Sequence, residues 1–236
     1  MVKDETLLCI KREFTFLKDE TKARVVYRAD GLRRIDRGAI LEFIPYTQHI
    51  NKFNNMTIVK RNEAENNDNY IQMVVAAIIR CNDKIILLEK QCGDLNHRTT
   101  LPQGHVSIDT TKLKSRWKHI SLKDMLESEL NREINEELNF SFPKKLILWK
   151  PRLKYNTMNF DSPEDISYYH YGFIFEYKVP LEYEKWFNID YITSGEPDKN
   201  RVRILNLHDR ITEDNSKYPP DSWLSEILED YYIRED

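Results

Sequence analysis

Residues 121–140 read SLKDMLESELNREINEELNF. Leu122, Leu126, Leu130, Ile134 and Leu138 recur every four residues, which predicts a helix with one apolar stripe turned to a core. Ser121 with Asp124 three residues on resembles a capping box, Asp standing for the usual Glu or Gln. Asn139 follows the last predicted turn, where Asn can take the left-handed conformation that ends a helix. Beside the stripe, Arg132-Glu133-Ile134-Asn135-Glu136-Glu137 carries three carboxylates. Positions 133, 136 and 137 are i, i+3 and i+4 and share a helix face. Like charges at that spacing repel by about 0.2–0.5 kcal/mol per pair, so a helix that keeps them either places a cation there or leaves them as a solvated charged face. Mg²⁺, a hard dication, takes such oxygen ligands together with substrate phosphates.

This stretch, with Leu101-Pro102-Gln103-Gly104-His105 upstream, resembles the Nudix (MutT-like) hydrolase box, G-x5-E-x7-R-E-U-x-E-E-x-G-U, with U a bulky apolar residue. Gly104 matches the first glycine. Arg132, Glu133, Ile134, Glu136, Glu137 and Phe140 match the second half. Asp124 stands where the family has Glu, and Asn139 where it has the last Gly. The family places five residues between the glycine and the acid, whereas this chain has nineteen, residues 105–123.

The resemblance implies an α/β fold: an α/β/α sandwich with a mixed central sheet, the box helix on one face and the C-terminal helix on the other. It implies Mg²⁺-dependent hydrolysis of a nucleoside diphosphate linked to another moiety X, with Mn²⁺ as the alternative ion. Glu136 and Glu137 are the implied metal ligands. Glu133 is either a third ligand or the base that takes a proton from water. Arg132 is assigned as the partner that orients a carboxylate, since its planar fork suits that task. The family places a metal contact at the backbone carbonyl matching Gly104 and often adds a carboxylate from a downstream loop. Glu196 is the candidate here, with Glu164 and Glu176 behind it.

Outward from the box, Ser107–Ile120 carries Lys112, Lys114, Arg116, Lys118 and His119 around Trp117. It is either a basic lid over a polyphosphate, with Lys112 and Arg116 binding substrate, or a plain surface loop. His105 and Arg98 are the other candidate substrate contacts; an ordinary surface histidine is the alternative for His105. Upstream, Tyr70–Ile79 (YIQMVVAAII) reads as a buried central strand, then a turn at Cys81–Lys84 and a second strand at Ile85–Glu89. Residues 61–69 read as a loop. Before it lie strand-like runs at Thr6–Ile10, Ala23–Tyr27 and Ala39–Pro45. Arg28, Arg33, Arg34 and Arg37 read as a solvated loop in preference to a phosphate site.

Downstream, Leu146–Trp149 reads as a strand and Pro151–Pro163 as a loop. Ser167–Val179 (SYYHYGFIFEYKV) reads as an aromatic strand whose larger face packs in the core. Arg201–Leu207 reads as a strand, and Trp223–Tyr232 as an amphipathic helix that packs on the sheet. The domain expectation is an N-terminal extension, 1–65, and a Nudix domain, 66–236.

Over 236 residues the chain is 40% hydrophobic and 32% charged, enough for a packed core under a charged surface. A net charge of −3 gives no strong nucleic-acid signal. There is no run of 18 apolar residues and the N-terminus is charged, so the expectation is a cytoplasmic protein with no membrane partner and a small-molecule nucleotide substrate; a homodimer is allowed. Cys9, Cys81 and Cys92 have no metal-like spacing. Two rivals stand beside the hydrolase. One is a catalytically inactive Nudix-like ligand-binding or regulatory module. The other is a diphosphate isomerase of the isoprenoid kind, which needs a cysteine near substrate; Cys92 is the candidate.

Overall fold

The computed structural model describes residues 5–11, 24–28, 31–36, 56–93, 95–108, 121–141, 151–158, 169–207, 209 and 218–232. It divides into two compact units: Met1–Val75, Gly104–Asn131 and Leu153–Ile174 in the first; Ala76–Gln103, Arg132–Arg152 and Phe175–Asp236 in the second.

In the first unit, β1 (Thr6–Lys11) pairs antiparallel with β4 (Met56–Lys60) and with the start of β5 (Tyr70–Cys81). Residues on both sides of position 65 therefore share this unit. The stretch after Gly104 threads between β1 and β5: Leu8 N–H donates to Val106 O at 2.9 Å, and Val106 N–H to Met73 O at 2.9 Å. Leu7, Cys9, Val59 and Ala64 form a core cluster against which Tyr70 packs. The run 61–69 is not all loop: Arg61–Glu65 forms a short helix, α1, held by an Arg61–Glu5 ion pair at 2.9 Å. Arg33 and Arg34, expected in a loop, lie in β3 (Gly31–Asp36), which pairs with β2 (Arg24–Arg28). Arg152–Met158, also expected as loop, forms β10 and pairs with β2. Cross-strand hydrogen bonding overrides the weak local polarity in both cases. The expected strands Ala39–Pro45 and Leu146–Trp149 lie outside the described residues.

The box helix, α2, runs Leu122–Glu137, its early turns in the first unit and its last in the second. Leu122, Leu126, Leu130 and Ile134 are buried, with Leu138 just beyond the helix end. Ser121 Oγ accepts from Asp124 N–H at 3.1 Å and donates to Asp124 Oδ2 at 2.7 Å, so Asp124 serves the helix start. Ser107 holds the same unit's part of the helix through its backbone N–H and hydroxyl, both donated to Glu129 Oε2.

In the second unit, the end of β5 and β6 (Lys84–Lys90) form the expected hairpin, with Asn82 at φ 51° in the turn. An Asn tolerates that left-handed geometry better than most residues. β6 lies between β5 and β13 (Asn200–Asn206), which pairs antiparallel along all of it. β7 (Thr99–Thr100) pairs antiparallel with β6, and Thr99 makes a parallel bridge to Pro220, so the sheet is mixed. Asp221 opens the C-terminal helix α3 (Ser222–Tyr232) by accepting from Leu224 N–H at 2.7 Å, and Trp223, Leu224, Ile227 and Leu228 are buried.

Asn139 does not end the helix in a left-handed turn. Leu138–Phe140 forms β9 and pairs with β12 (Ile192–Ser194), which redirects the chain directly into a strand. β11 (His170–Val179) is buried on both faces through Tyr177, so the alternation read in its sequence does not separate a core face from a wet one. No helix among the described residues is long and apolar enough to cross a membrane.

Candidate functional site

The last turn of α2 and the strands around it build a charged cluster in the second unit. The three box carboxylates share a face but not an environment. Glu137 is 4% exposed, whereas the side chain of Glu136 is 54% exposed and that of Glu133 only 13%. Lys90, at the end of β6, pairs with Glu137 Oε1. Gln103 N–H, in β8 (Gln103–His105), donates to Glu137 Oε2 at 2.7 Å. Burial pushes the Glu137 carboxyl above its ordinary range, against the pull of Lys90 and Gln103. Glu196 raises it further by like charge, which brings the downstream carboxylate into the same electrostatic neighbourhood.

Arg132 divides its fork: Nη2 pairs with Glu133, and Nη1 reaches Glu136 Oε2 at 2.8 Å. The guanidinium thus reaches two of the three acids. Burial, with Glu137 and Glu136 adding to it, raises Glu133 to about 7 despite Arg132. The loop after β12 closes on the helix end: Gly195 N–H donates to Glu137 O at 2.9 Å, satisfying a carbonyl that has no partner within the helix. Glu196 N–H donates to Ser194 Oγ at 3.0 Å, and its carboxylate accepts from Lys199 Nζ at 2.6 Å.

Glu133, Arg132, Glu136, Glu137 and Glu196 thus gather in one unit. Gly104 and His105 belong to the other, where His105 Nε2 lies 3.1 Å from His170 Nε2. Arg98 is exposed, and its backbone carbonyl accepts from Lys90 N–H at 2.9 Å. Glu176 is committed to Arg80 at 2.8 Å. Lys112, Arg116 and Glu164 lie outside the described residues. Sequence reasoning missed Lys90, Gln103 N–H and Gly195. A lysine ending an apolar strand is the faint signal for Lys90; the other two leave none.

No family model matches the sequence, and no curated protein matches it. Among solved structures, Tm1382, a candidate Nudix hydrolase, superposes with a TM-score of 0.52 at 17% identity, covering 86% of each chain. The chain has the Nudix fold. A bifunctional NMN adenylyltransferase/ADP ribose pyrophosphatase from Francisella tularensis gives a TM-score of 0.42 at 16% identity over 68% of this chain and 41% of that one. A MutT Nudix hydrolase from Burkholderia pseudomallei gives 0.41 at 15% identity over 67% and 95%.

The box resemblance implies a hard dication held by carboxylates. Among the described residues no three His, Cys, Asp or Glu side chains converge as a ready-made metal cluster. The donor set nonetheless fits such an ion by its chemistry. Glu133, Glu136 and Glu137 supply oxygen only; Glu133 is raised by burial and by its two neighbours, and Glu137 by burial and by Glu196, a penalty a dication relieves.

Proposed function

We propose that this protein is a Mg²⁺-dependent hydrolase that cleaves the diphosphate of a nucleoside diphosphate linked to a second moiety. The observation that carries this reading is the graded trio Glu133, Glu136 and Glu137 at the end of α2, supported from β6 by Lys90. Glu136 and Glu137 would hold the ion, with Glu196 and Glu133 as further donors. A bound Mg²⁺ would lower the pKa of water and neutralise charge on the diphosphate.

The chain's own groups do the rest. Glu133, raised by burial to about 7 in the metal-free chain, is either a donor to the ion or the base that would take a proton from the attacking water. Arg132 keeps that carboxylate oriented while tying it to Glu136. Lys90 and Gln103 N–H fix Glu137 from two directions, so its oxygens are placed before any ligand arrives.

A second reading has its own support. Every box carboxylate already has a cationic partner, as in a metal-free binding module that keeps the fold without turnover. Phosphate release from a panel of nucleoside diphosphate derivatives, with and without Mg²⁺ or Mn²⁺, separates the two. Metal-dependent release supports the hydrolase; tight binding without release supports the module.

A further inference from the structure

Asn200 opens β13 and stands opposite Lys90 in the antiparallel register with β6. Residues directly opposite on antiparallel strands project from the same face, with Cβ atoms about 4.5–5.5 Å apart. Lys90 directs its ammonium to Glu137, so the Asn200 side chain lies on the face of the sheet that meets the carboxylate site. Asn200 is 2% exposed, yet its Nδ2 has no hydrogen-bond partner. Its backbone is pinned: Asn200 N–H and Lys199 N–H both donate to Glu196 O at 2.9 Å. A buried amide donor without an acceptor is costly, and an apolar residue of the same shape would fill the space without that cost.

We propose that Asn200 is a substrate-binding residue, its Nδ2 donating to a phosphate oxygen of the diphosphate beside Glu137. This rests on the reading given above for the site. An N–H₂ group opposite a lysine suits an anionic oxygen, and such an oxygen would supply the acceptor that the buried Nδ2 lacks. Nothing in the box pattern marks this residue, which lies sixty-three positions after Glu137.

The test is calorimetric titration with ADP in Mg²⁺, comparing the wild type with Asn200→Leu. The variant keeps the side chain's size and removes the donor. Its Kd for ADP is expected to rise about tenfold, equivalent to about 1.4 kcal/mol, while its urea midpoint without ADP is unchanged or higher. A second measurement needs no variant: the side-chain amide resonances of Asn200 should shift as ADP is added. Equal affinity in both proteins, or unshifted amide resonances on a wild type that binds ADP, overturns the inference alone and assigns the donor to a structural water. A wild type that binds neither ADP nor inorganic pyrophosphate overturns the reading of the site and this inference with it.

Discussion

Replacing Gly195 with alanine tests how the loop after β12 is seated on the box helix. An added Cβ would stand 2.2 Å from the backbone oxygen of Glu136 and 3.1 Å from its carbonyl carbon. The obstacle is helix backbone, which cannot swing aside as a side-chain tip can. The loop must therefore retreat by roughly 1 Å to reach ordinary contact, the scale of shift that costs about 1–3 kcal/mol in overpacked sites. The retreat also stretches the 2.9 Å bond from Gly195 N–H to Glu137 O, a further loss of about 0.5–1.5 kcal/mol. Alanine stiffens the unfolded chain and returns about 0.4–1 kcal/mol. The net is a destabilisation of about 2 kcal/mol, or a fall in Tm of about 4–8 °C for a chain of this size. Gly93→Ala is the control: at φ 79° with nothing within 4 Å, it meets backbone strain without a clash at the site. Thermal unfolding of both variants decides the matter. A Gly195→Ala protein that melts with the wild type would show that the loop does not press on the last turn of α2.

Three further outcomes follow from the same geometry. Glu133 is raised in the fold to about 7, so the stability it contributes is present below its ordinary value near 4.5 and lost as pH rises through 7. Glu133→Gln should therefore match the wild type in urea unfolding near pH 4 and exceed it by up to about 3 kcal/mol at pH 8 in chelator; a difference independent of pH contradicts the burial. Arg132→Lys should lose most turnover, because a point charge cannot reach Glu133 and Glu136 from separate nitrogens; wild-type rates would show that the arginine only solvates the helix. Cys9 is fully buried and its thiol is raised to about 12, Cys81 is buried and raised, and Cys92 is exposed. Thiol titration of the native protein at pH 8 should find Cys92 alone reactive, the other two appearing only in denaturant.

The box helix was legible because its signal is local. A four-residue apolar repeat and a same-face acidic trio need no knowledge of the rest of the chain, and both stand in the structure. What local pattern could not supply was anything set by pairing across the sequence. Asn139 has the chemistry of a helix terminator, yet the partner strand Ile192–Ser194, about fifty residues on, draws it into β9. Lys90 lies forty-seven residues from Glu137, and only the β6–α2 geometry joins them. The exposure of the three carboxylates was equally invisible: helical spacing places them on a face but does not say how deep that face sits. Glu196 came from the family resemblance, not from its own surroundings, and the structure sets it next to Gly195, whose N–H donates to Glu137 O.

The central claim is that the end of α2 holds a metal that serves a diphosphate substrate, and it places Glu137 at the centre. The most direct measurement is the Mg²⁺-induced shift in Tm, taken alongside phosphate release from a nucleoside diphosphate panel, for the wild type, Glu137→Gln and Glu136→Gln. A ligand that binds only the folded state at a hundred times its Kd stabilises by about 2.7 kcal/mol. The wild type should show a saturable rise and Mg²⁺-dependent release, with Glu137→Gln losing both and Glu136→Gln keeping a reduced shift. Identical Mg²⁺ shifts in all three proteins, or release that persists in Glu137→Gln, would contradict the account.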